Sequence, residues 1–463
     1  MMGLPAASKA VCLYLTLAAV QAPKATFAFQ LRKAPKVSSR CPLLHNVKDD
    51  NLPEGATLFH RDRPSSRRKL LREAVQGVAG VCVLLPSRAT AESTVPSDDT
   101  APFSVPIRAS WNAINGLNAN DQFVQFDAAA YKAMKDDPTR TPLFQQAIFN
   151  RLGSNPESLT VIDLGTGPYA LFAIMAAQLG AGRVYAMESN RAAAQSARIT
   201  IQRAGFQDVI TVLDGFSTDI ELPNQEKADF CIAEIIGSIA TEEGAYATIR
   251  DAHKRLLKNP DLPSSWIPRQ IQTYAAPASY TLHNLFGPPE FDWNKLNGEP
   301  VRFNCRDKGL ELLADPVLVE DVSFGSIWSR DQESALSRTK QLEFVVDAAR
   351  MEQNEIAFYN EFLRGNSPKQ DSQDLAKATA HSLSGIALWP RLVLDESTFV
   401  DSRHYGNGDH QRSHWQTVLP IMSGRPVGGL KGGEKVSVAA KFELSADVLK
   451  PCRYSLDGTV TRS

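Results

Sequence analysis

The 463-residue sequence has little cysteine and no apolar run long enough to cross a membrane comfortably. Cys12, Cys41 and Cys82 lie in the first 91 residues, and Cys231, Cys305 and Cys452 are scattered through the rest. This scatter indicates neither a zinc site nor a disulfide framework. The apolar run at residues 10–22 is too short for a permanent anchor, so we expect no stable membrane span in the mature protein.

An excess of charge of one sign is also missing, because 50 Lys and Arg are balanced by 51 Asp and Glu. The distribution is uneven, because residues 1–91 carry 14 basic and 5 acidic side chains. The remainder carries 36 basic and 46 acidic side chains and is therefore acidic. An acidic body favours basic, arginine-rich partners and argues against direct binding of nucleic acid. The hydrophobic content of 43% is that of a soluble globular protein, with room for two or three domains.

The first hundred or so residues lack the periodicity of a folded domain. Residues 1–91 predict a bipartite or tripartite leader, because a signal-like segment ending at Ala28 is followed by Phe29 and a basic stretch. This order resembles the presequences of complex algal plastids, and Arg67-Arg68 with a following apolar run resembles a twin-arginine signal for the thylakoid lumen. We therefore expect a plastid protein, with the thylakoid lumen as one candidate compartment. The alternative interpretations of the twin-arginine element are an uncleaved membrane-proximal segment and a plain linker. Residues 92–110 predict a linker.

A glycine-rich strand-turn-helix at residues 161–179 predicts a nucleotide-type site. Gly165 and Gly167 allow a tight turn and a close approach to a ligand. A second strand ends in Glu188, which can accept both hydroxyls of a ribose. The longer Gly-x-Gly-x-x-Gly motif and a phosphate-binding lysine are missing, which favours an adenosine ligand without a pyrophosphate. S-adenosylmethionine fits this pattern better than NAD.

Two glutamates follow on one loop, Glu234 and Glu243. A guanidinium is planar and always charged, so holding it for chemistry takes carboxylates arranged around it. The adjacent Glu242 leaves a choice for the second acid, and the nine-residue spacing from Glu234 selects Glu243. The loop therefore predicts a guanidinium clamp beside the cofactor site.

With these motifs, residues of about 111–285 resemble the catalytic domain of the protein arginine N-methyltransferases. The resemblance implies an α/β fold: a seven-stranded, Rossmann-like S-adenosylmethionine-dependent methyltransferase domain followed by a mostly β barrel domain. We assign the first domain, with its N-terminal cap helices, to residues 111–267 and the barrel to residues 268–463. Barrel strands are predicted at residues 270–277, 317–324, 342–347, 385–394, 415–419 and 435–444. Residues 366–374 predict a surface loop.

The same resemblance implies roles for further residues. Tyr131 and Arg140 take the positions that contact the methionine moiety, and a cation at Arg140 would pair with the cofactor's carboxylate. The cofactor site is completed by Asp163, Gly165, Gly167, Glu188, Phe216 and Ser217, the last two toward adenine. His414 lies in a segment similar to the family's Thr-His-Trp loop and would border the substrate pocket.

Two positions depart from the family's pattern. Tyr169 stands where the cofactor loop usually carries a third glycine, and Met134 stands where the symmetric-dimethylating branch carries phenylalanine. Monomethyl, symmetric and asymmetric dimethyl products therefore stay open. The family also commonly dimerises, so a homodimer is an expectation from the resemblance.

The predicted function is methyl transfer from S-adenosylmethionine to an arginine of a protein substrate. Glu234 and Glu243 would localise the guanidinium charge so that one nitrogen keeps a lone pair aimed at the methyl carbon. His414 would take up a proton or order the pocket. Two other classes stay open: a methyltransferase-fold protein that binds without turnover, and a methyltransferase for a small molecule.

Overall fold

The computed structural model describes residues 104–113, 128–287, 291–296, 298–304, 309–326, 336–364, 369–403 and 414–462. The predicted leader at residues 1–91 lies outside these ranges, so the plastid location stays a prediction. Within these ranges, no helix combines the length and the apolar character that crossing a bilayer requires.

The first half of the described chain alternates strands and helices. After strand β1 (Ser104–Asn112), it contains α1 (Ala128–Lys135), α2 (Thr141–Leu152), β2 (Thr160–Leu164), α3 (Leu171–Gln178), β3 (Arg183–Glu188), α4 (Arg191–Ala204), β4 (Ile210–Asp214), β5 (Phe230–Ala233), α5 (Ala245–Arg255) and β6 (Trp266–Ile267). Local signals set these elements: α4 begins where the side chain of Asn190 accepts hydrogen bonds from the backbone N–H groups of Ala192 and Ala193, and it ends at Gly205 in a left-handed conformation.

Strands β2 to β6 form one parallel sheet in the order β4-β3-β2-β5-β6. Every residue of β2 and β5 is buried, as expected of strands whose two faces are both covered. The strand order reverses at β2, because β3 lies on one side of it and β5 on the other. The carboxyl ends of these strands are therefore the expected ligand site. In the described chain this sheet has five strands, where the resemblance implied seven.

The second half is mostly β. It contains β7 (Gln270–Tyr280), α6 (Thr281–Leu285), β8 (Val301–Asn304), β9 (Leu310–Leu312), β10 (Val317–Ser323), β11 (Ser337–Val345), α7 (Ala348–Phe358), α8 (Lys369–Ala380), β12 (Gly385–Val393), β13 (Phe399–Asp401), β14 (Gln416–Leu419), β15 (Lys435–Glu443) and β16 (Arg453–Thr461). One antiparallel sheet has the order β1-β16-β15-β11, and the other runs β10-β7-β12-β14-β8 with β9 and β13 at its side. Side chains of both sheets share one hydrophobic core. The six predicted barrel strands are confirmed.

Two elements differ from the sequence-based expectations. Residues 104–110, assigned to a linker, form most of β1, which pairs along its whole length with β16 and belongs to the barrel. Ile107, Ala109 and Trp111 alternate inward, a period-two pattern that the Ser and Pro residues of this segment obscured. Part of the loop predicted at residues 366–374 is instead the first turns of α8. This helix is polar and buries only a few side chains, among them Ala376 and Ala380.

Candidate active site

A cleft opens at the carboxyl ends of β2, β3 and β5, where the switch in strand order predicts a ligand site. The structure brings most of the predicted site residues together on its walls: Tyr131, Arg140, Gly165, Gly167, Glu188, Phe216, Ser217, Glu234 and Glu243. The barrel contributes Val448 to the same wall. Two predicted residues, Asp163 and His414, lie outside this lining.

The glycine turn after β2 forms the floor of the cleft. Gly165 and Gly167 have φ angles of 71° and 65°, in the left-handed region that glycine adopts at little cost. A Cβ atom at Gly165 would lie 3.0 Å from Cγ2 of Ile235, so a larger residue there would crowd the start of the acid loop. The turn therefore brings backbone to the cleft surface without side chains in the way.

Glu188, at the end of β3, ties this turn to the next one. One carboxylate oxygen accepts a hydrogen bond of 2.9 Å from the Gly167 N–H, and the other accepts one of 2.8 Å from the Asn190 N–H. Burial raises the pKa of Glu188, although these backbone hydrogen bonds oppose the shift. Each oxygen has further acceptor capacity, as needed to receive the hydroxyls of a ribose.

Asp163 lies beneath the turn instead of on the cleft wall. Its Oδ2 accepts hydrogen bonds of 2.5 Å from the Thr166 hydroxyl and 3.0 Å from the Ala173 N–H at the start of α3. Burial raises the pKa of Asp163 to about 6. In this position Asp163 supports the turn, and its contact with a cofactor stays a prediction.

Arg140 connects the predicted cofactor contacts to the acid loop. Its buried guanidinium pairs with Glu234, donates a hydrogen bond of 3.0 Å to the Met134 carbonyl, and lies 4.7 Å from the ring centroid of Phe172. Its Nε has no hydrogen-bond partner among the described residues. The sequence predicted Arg140 and Glu234 for different ligands and did not indicate that they pair.

The two neighbouring glutamates at the end of the acid loop face in different directions. Glu242 is 2% exposed and forms an ion pair of 2.7 Å with Arg302 on β8, whereas Glu243 lines the cleft. Burial, reinforced by the charges of Glu242 and Glu234, raises the pKa of Glu243 to about 8. Of these two glutamates, Glu243 is the one that lines the cleft, and its role in a clamp stays a prediction.

His414 lies close behind the acid loop. Its Nδ1 is 3.0 Å from Oδ2 of Asp137, and its backbone N–H donates to the same oxygen at 3.0 Å. Burial lowers the pKa of His414. Burial alone would raise the pKa of Asp137, but hydrogen bonds from His414 and Thr139 lower it. Asp137 was not predicted, although an aspartate before Pro138 is a local turn signal: its Oδ1 accepts hydrogen bonds from the Thr139 and Arg140 N–H groups.

The sequence also left two cleft residues without a role. Lys135, on α1, places its Nζ 4.9 Å from the ring centroid of Tyr169, and both side chains line the cleft. Tyr169 therefore lies on the wall where the family usually has a third glycine. The spacing of a cation over an aromatic ring is that of a cation–π contact.

A parallel sheet with a glycine turn, an acid at the end of its second strand and a mostly β domain after it define a Rossmann-like methyltransferase fold joined to a barrel. Consistent with this class, residues 145–248 match the family model described as ribosomal protein L11 methyltransferase (PrmA).

Among methyltransferases, the curated proteins most similar in sequence include arginine methyltransferases. The chain is 29% identical over 183 residues to protein arginine N-methyltransferase PRMT10 of Arabidopsis thaliana, covering 39% of this chain and 46% of that protein. It is 36% identical over 139 residues to arginine N(omega)-methyltransferase of Streptomyces achromogenes subsp. streptozoticus. This match covers 29% of this chain and 37% of that protein. The matches thus span less than half of either relative.

Two solved structures share the fold. The Trypanosoma brucei PRMT1 enzyme-prozyme heterotetrameric complex with AdoHcy matches with a TM-score of 0.51 and 17% identity, covering 72% of this chain and 98% of that one. The crystal structure of PRMT6 matches with a TM-score of 0.51 and 15% identity, and the match covers 72% of this chain and 100% of that one. The chain is therefore similar to protein arginine N-methyltransferases over part of its sequence, and it shares the two-domain fold of these solved structures.

Proposed function

We propose that this protein is an S-adenosylmethionine-dependent protein arginine N-methyltransferase. The observation that carries the proposal is that Glu234 and Glu243 both open onto the cleft formed by the glycine turn and Glu188. Carboxylates in that position can hold a guanidinium beside a nucleoside-type ligand. The names of the curated relatives support the same reaction class.

The residues present fit S-adenosylmethionine as the cofactor. The glycine turn permits a close approach, and Glu188 has acceptor capacity for the ribose. Phe216 and Ser217 line the cleft near the end of β4, where adenine would lie. The unpartnered Nε of Arg140 is a buried donor suited to the methionine carboxylate. When bound, S-adenosylmethionine supplies a methyl group that is already electrophilic.

The protein's own contribution is to bind and orient the substrate guanidinium. Glu243 lines the cleft with a raised pKa, so an arriving guanidinium would displace its proton to solvent and pair with it. Glu234 already pairs with Arg140 and would share its carboxylate between the two cations. The two acids would then restrict the charge to part of the guanidinium and leave one nitrogen aimed at the methyl group.

His414 is suited to take up the proton that the guanidinium loses. The Asp137 carboxylate beside Nδ1 favours the tautomer with the proton on Nδ1, which leaves Nε2 as the acceptor. The lowered pKa of His414 keeps this ring neutral near neutral pH. His414, oriented by Asp137 behind the acid loop, would take up this proton at Nε2 or order the pocket.

A small molecule bearing a guanidinium is the second candidate substrate. It is favoured by the match to a relative named as an arginine, not a protein-arginine, methyltransferase. The acid pair would serve either substrate, so removing an acid cannot separate the two. Direct comparison of free arginine with arginine in a protein can separate them.

The test is to incubate the full chain with methyl-labelled S-adenosylmethionine and either an arginine-rich protein mixture or free arginine. Glu234→Gln and Glu243→Gln are the site variants, and Glu396→Gln, at an 83% exposed side chain paired with Arg269, is the matched control. We expect methyl-arginine in protein from the parent and the control and far less from the site variants. Label in free arginine only would favour the second candidate, and cofactor binding without any transfer would favour a non-catalytic binding protein.

Plastid location and a homodimer are further proposals, which rest on the sequence alone. Imaging of the full chain fused to a fluorescent protein tests the location, and sedimentation of the purified full chain tests the oligomer. We expect plastid fluorescence and a dimer mass.

A further inference from the structure

The turn that presents Glu243 is held by the barrel domain. Thr241 donates a hydrogen bond of 2.7 Å to one carboxylate oxygen of Glu320 on β10. The other oxygen of Glu320 accepts a hydrogen bond of 2.6 Å from Thr273 on β7, whose hydroxyl accepts one of 3.0 Å from the Ala240 N–H. Glu320 is 4% exposed, so these hydrogen bonds are shielded from water.

A second barrel contact holds the next residue. Arg302 on β8 donates to both carboxylate oxygens of Glu242, at 2.7 Å from Nη2 and 3.3 Å from Nη1. The same carboxylate accepts a hydrogen bond of 3.1 Å from the Ile239 N–H. A two-point guanidinium contact fixes orientation as well as distance. Glu242 is thereby kept out of the cleft and bound to the barrel.

Glu243 follows these two anchored residues and has a strained backbone. Its φ angle is 63°, in the left-handed region that non-glycine residues seldom adopt. Such a conformation persists only when the surroundings fix it. The anchors at Thr241 and Glu242 are the contacts that fix the turn immediately before it.

We propose that Arg302 and Glu320, both of the barrel domain, are positioning residues that aim Glu243 into the cleft. This inference rests on the proposed function only for the role of Glu243 in binding the substrate. The barrel would then determine which of two adjacent acids meets the guanidinium.

The charges around Glu243 make the proposal measurable without turnover. Glu242 and Glu234, on its own loop, raise the pKa of Glu243, and Arg302 from the barrel lowers it. Tyr131 of α1 also faces it, and its own pKa is raised mainly by burial and in part by Glu188 and Glu243. Losing Arg302 should therefore raise the pKa of Glu243 over the pH range in which Glu242 stays ionised, whereas losing the charge of Glu242 should lower it.

The experiment titrates the cofactor-free full chain, labelled with ¹³C-carboxyl glutamate, by NMR. The Glu243 signal is identified as the one missing from Glu243→Gln. We expect its midpoint to rise by about one pH unit in Arg302→Met and to fall by a similar amount in Glu242→Gln. The midpoint of Glu243 in Arg302→Lys should lie between its midpoints in Arg302→Met and in the parent. Arg350→Met is the control, because Arg350 pairs at 2.6 Å with the exposed Asp315 away from the cleft.

Equal midpoints in all variants, or shifts in the same direction for Arg302→Met and Glu242→Gln, would overturn the proposal. General loosening of the fold cannot produce opposite shifts from the two partners of one ion pair.

A second measurement addresses Glu320. Glu320→Gln retains an acceptor for Thr241, whereas Glu320→Leu removes it, so kcat/KM for an arginine substrate should fall on the order of tenfold in the leucine variant and less in the glutamine variant. The dissociation constant of S-adenosylhomocysteine should be unchanged in both. Weakened cofactor binding that tracks the loss of kcat/KM would contradict a positioning role. A parent without any methyl transfer would refute the proposed function and leave the titration to decide the inference.

Discussion

The two halves of the cleft are built by contacts of very different range. In the cofactor half, Gly167 is held by Glu188, only 21 residues away along the chain. In the acid half, Glu242 is held by Arg302 across 60 residues, and the Ile236 carbonyl accepts from Trp415 across 179. The cofactor half is thus a property of the parallel-sheet domain, whereas the acid half requires the barrel. Apart from the Arg140–Glu234 ion pair, which joins them, we expect changes in one half to leave the other largely intact.

The largest predicted effect breaks the acid half alone. Glu243→Gln removes the charge that would meet the guanidinium, and we expect a loss of about 3 kcal/mol in transition-state binding, or on the order of a hundredfold in kcat/KM. Calorimetry with S-adenosylhomocysteine should show unchanged affinity, because Glu243 is not among the contacts we assign to the cofactor. Near-normal turnover would remove Glu243 from the mechanism.

The converse change breaks the cofactor half. Glu188→Ala removes an acceptor that holds Gly167 and Asn190 and that we assign to the ribose. Hydrogen bonds to a charged group contribute about 2 kcal/mol, so we expect the affinity for S-adenosylhomocysteine to fall roughly thirtyfold. The titration midpoint of Glu243 should stay at its parent value. A shift of that midpoint would mean that the halves are coupled.

The pH dependence of kcat/KM should differ from that of cofactor affinity, which separates the acid half from the cofactor half. Because the pKa of Glu243 is raised to about 8, the acid is mostly protonated below that pH, and a guanidinium can pair with it only at the cost of displacing the proton. We expect kcat/KM to fall about tenfold for each pH unit below 8 and to level off above it. Cofactor affinity, measured over the same pH range, should lack this dependence. A flat profile between pH 6 and 8 would contradict a catalytic role for the ionised form.

The smallest predicted effect comes from removing one long-range hydrogen bond, from Trp415 to the Ile236 carbonyl. Trp415→Phe removes the hydrogen bond of 2.8 Å from Nε1 to the Ile236 carbonyl and keeps most of the buried ring. The loss of one neutral hydrogen bond costs about 1 kcal/mol, so we expect roughly a fivefold decrease in kcat/KM for the arginine substrate. Cofactor affinity should not change. If it falls instead, Trp415 supports the parallel-sheet domain as a whole.

The range of the contacts also explains what the sequence could predict. The glycine turn and Glu188 lie in one strand-turn-helix-strand unit, whose signals are local. Six barrel strands were predicted from alternating apolar residues for the same reason. Arg302 and Glu320 acquire their roles only when distant strands meet, so no local pattern marks them. Asp137 has a local turn signal, but its contact with His414 spans 277 residues. The polar helix α8 was taken for a loop because few of its side chains are buried.

The most direct test of a guanidinium clamp compares one peptide in three forms, with arginine, citrulline or lysine at the acceptor position. Citrulline keeps the planar shape and loses the charge, whereas lysine keeps the charge and loses the fork of donors. With the full chain and labelled S-adenosylmethionine, we predict label in the arginine peptide alone. We also predict that binding of this peptide, unlike that of the citrulline peptide, is lost in Glu243→Gln. Equal labelling of the lysine peptide, or equal binding of the citrulline peptide, would contradict a site in which Glu234 and Glu243 recognise arginine.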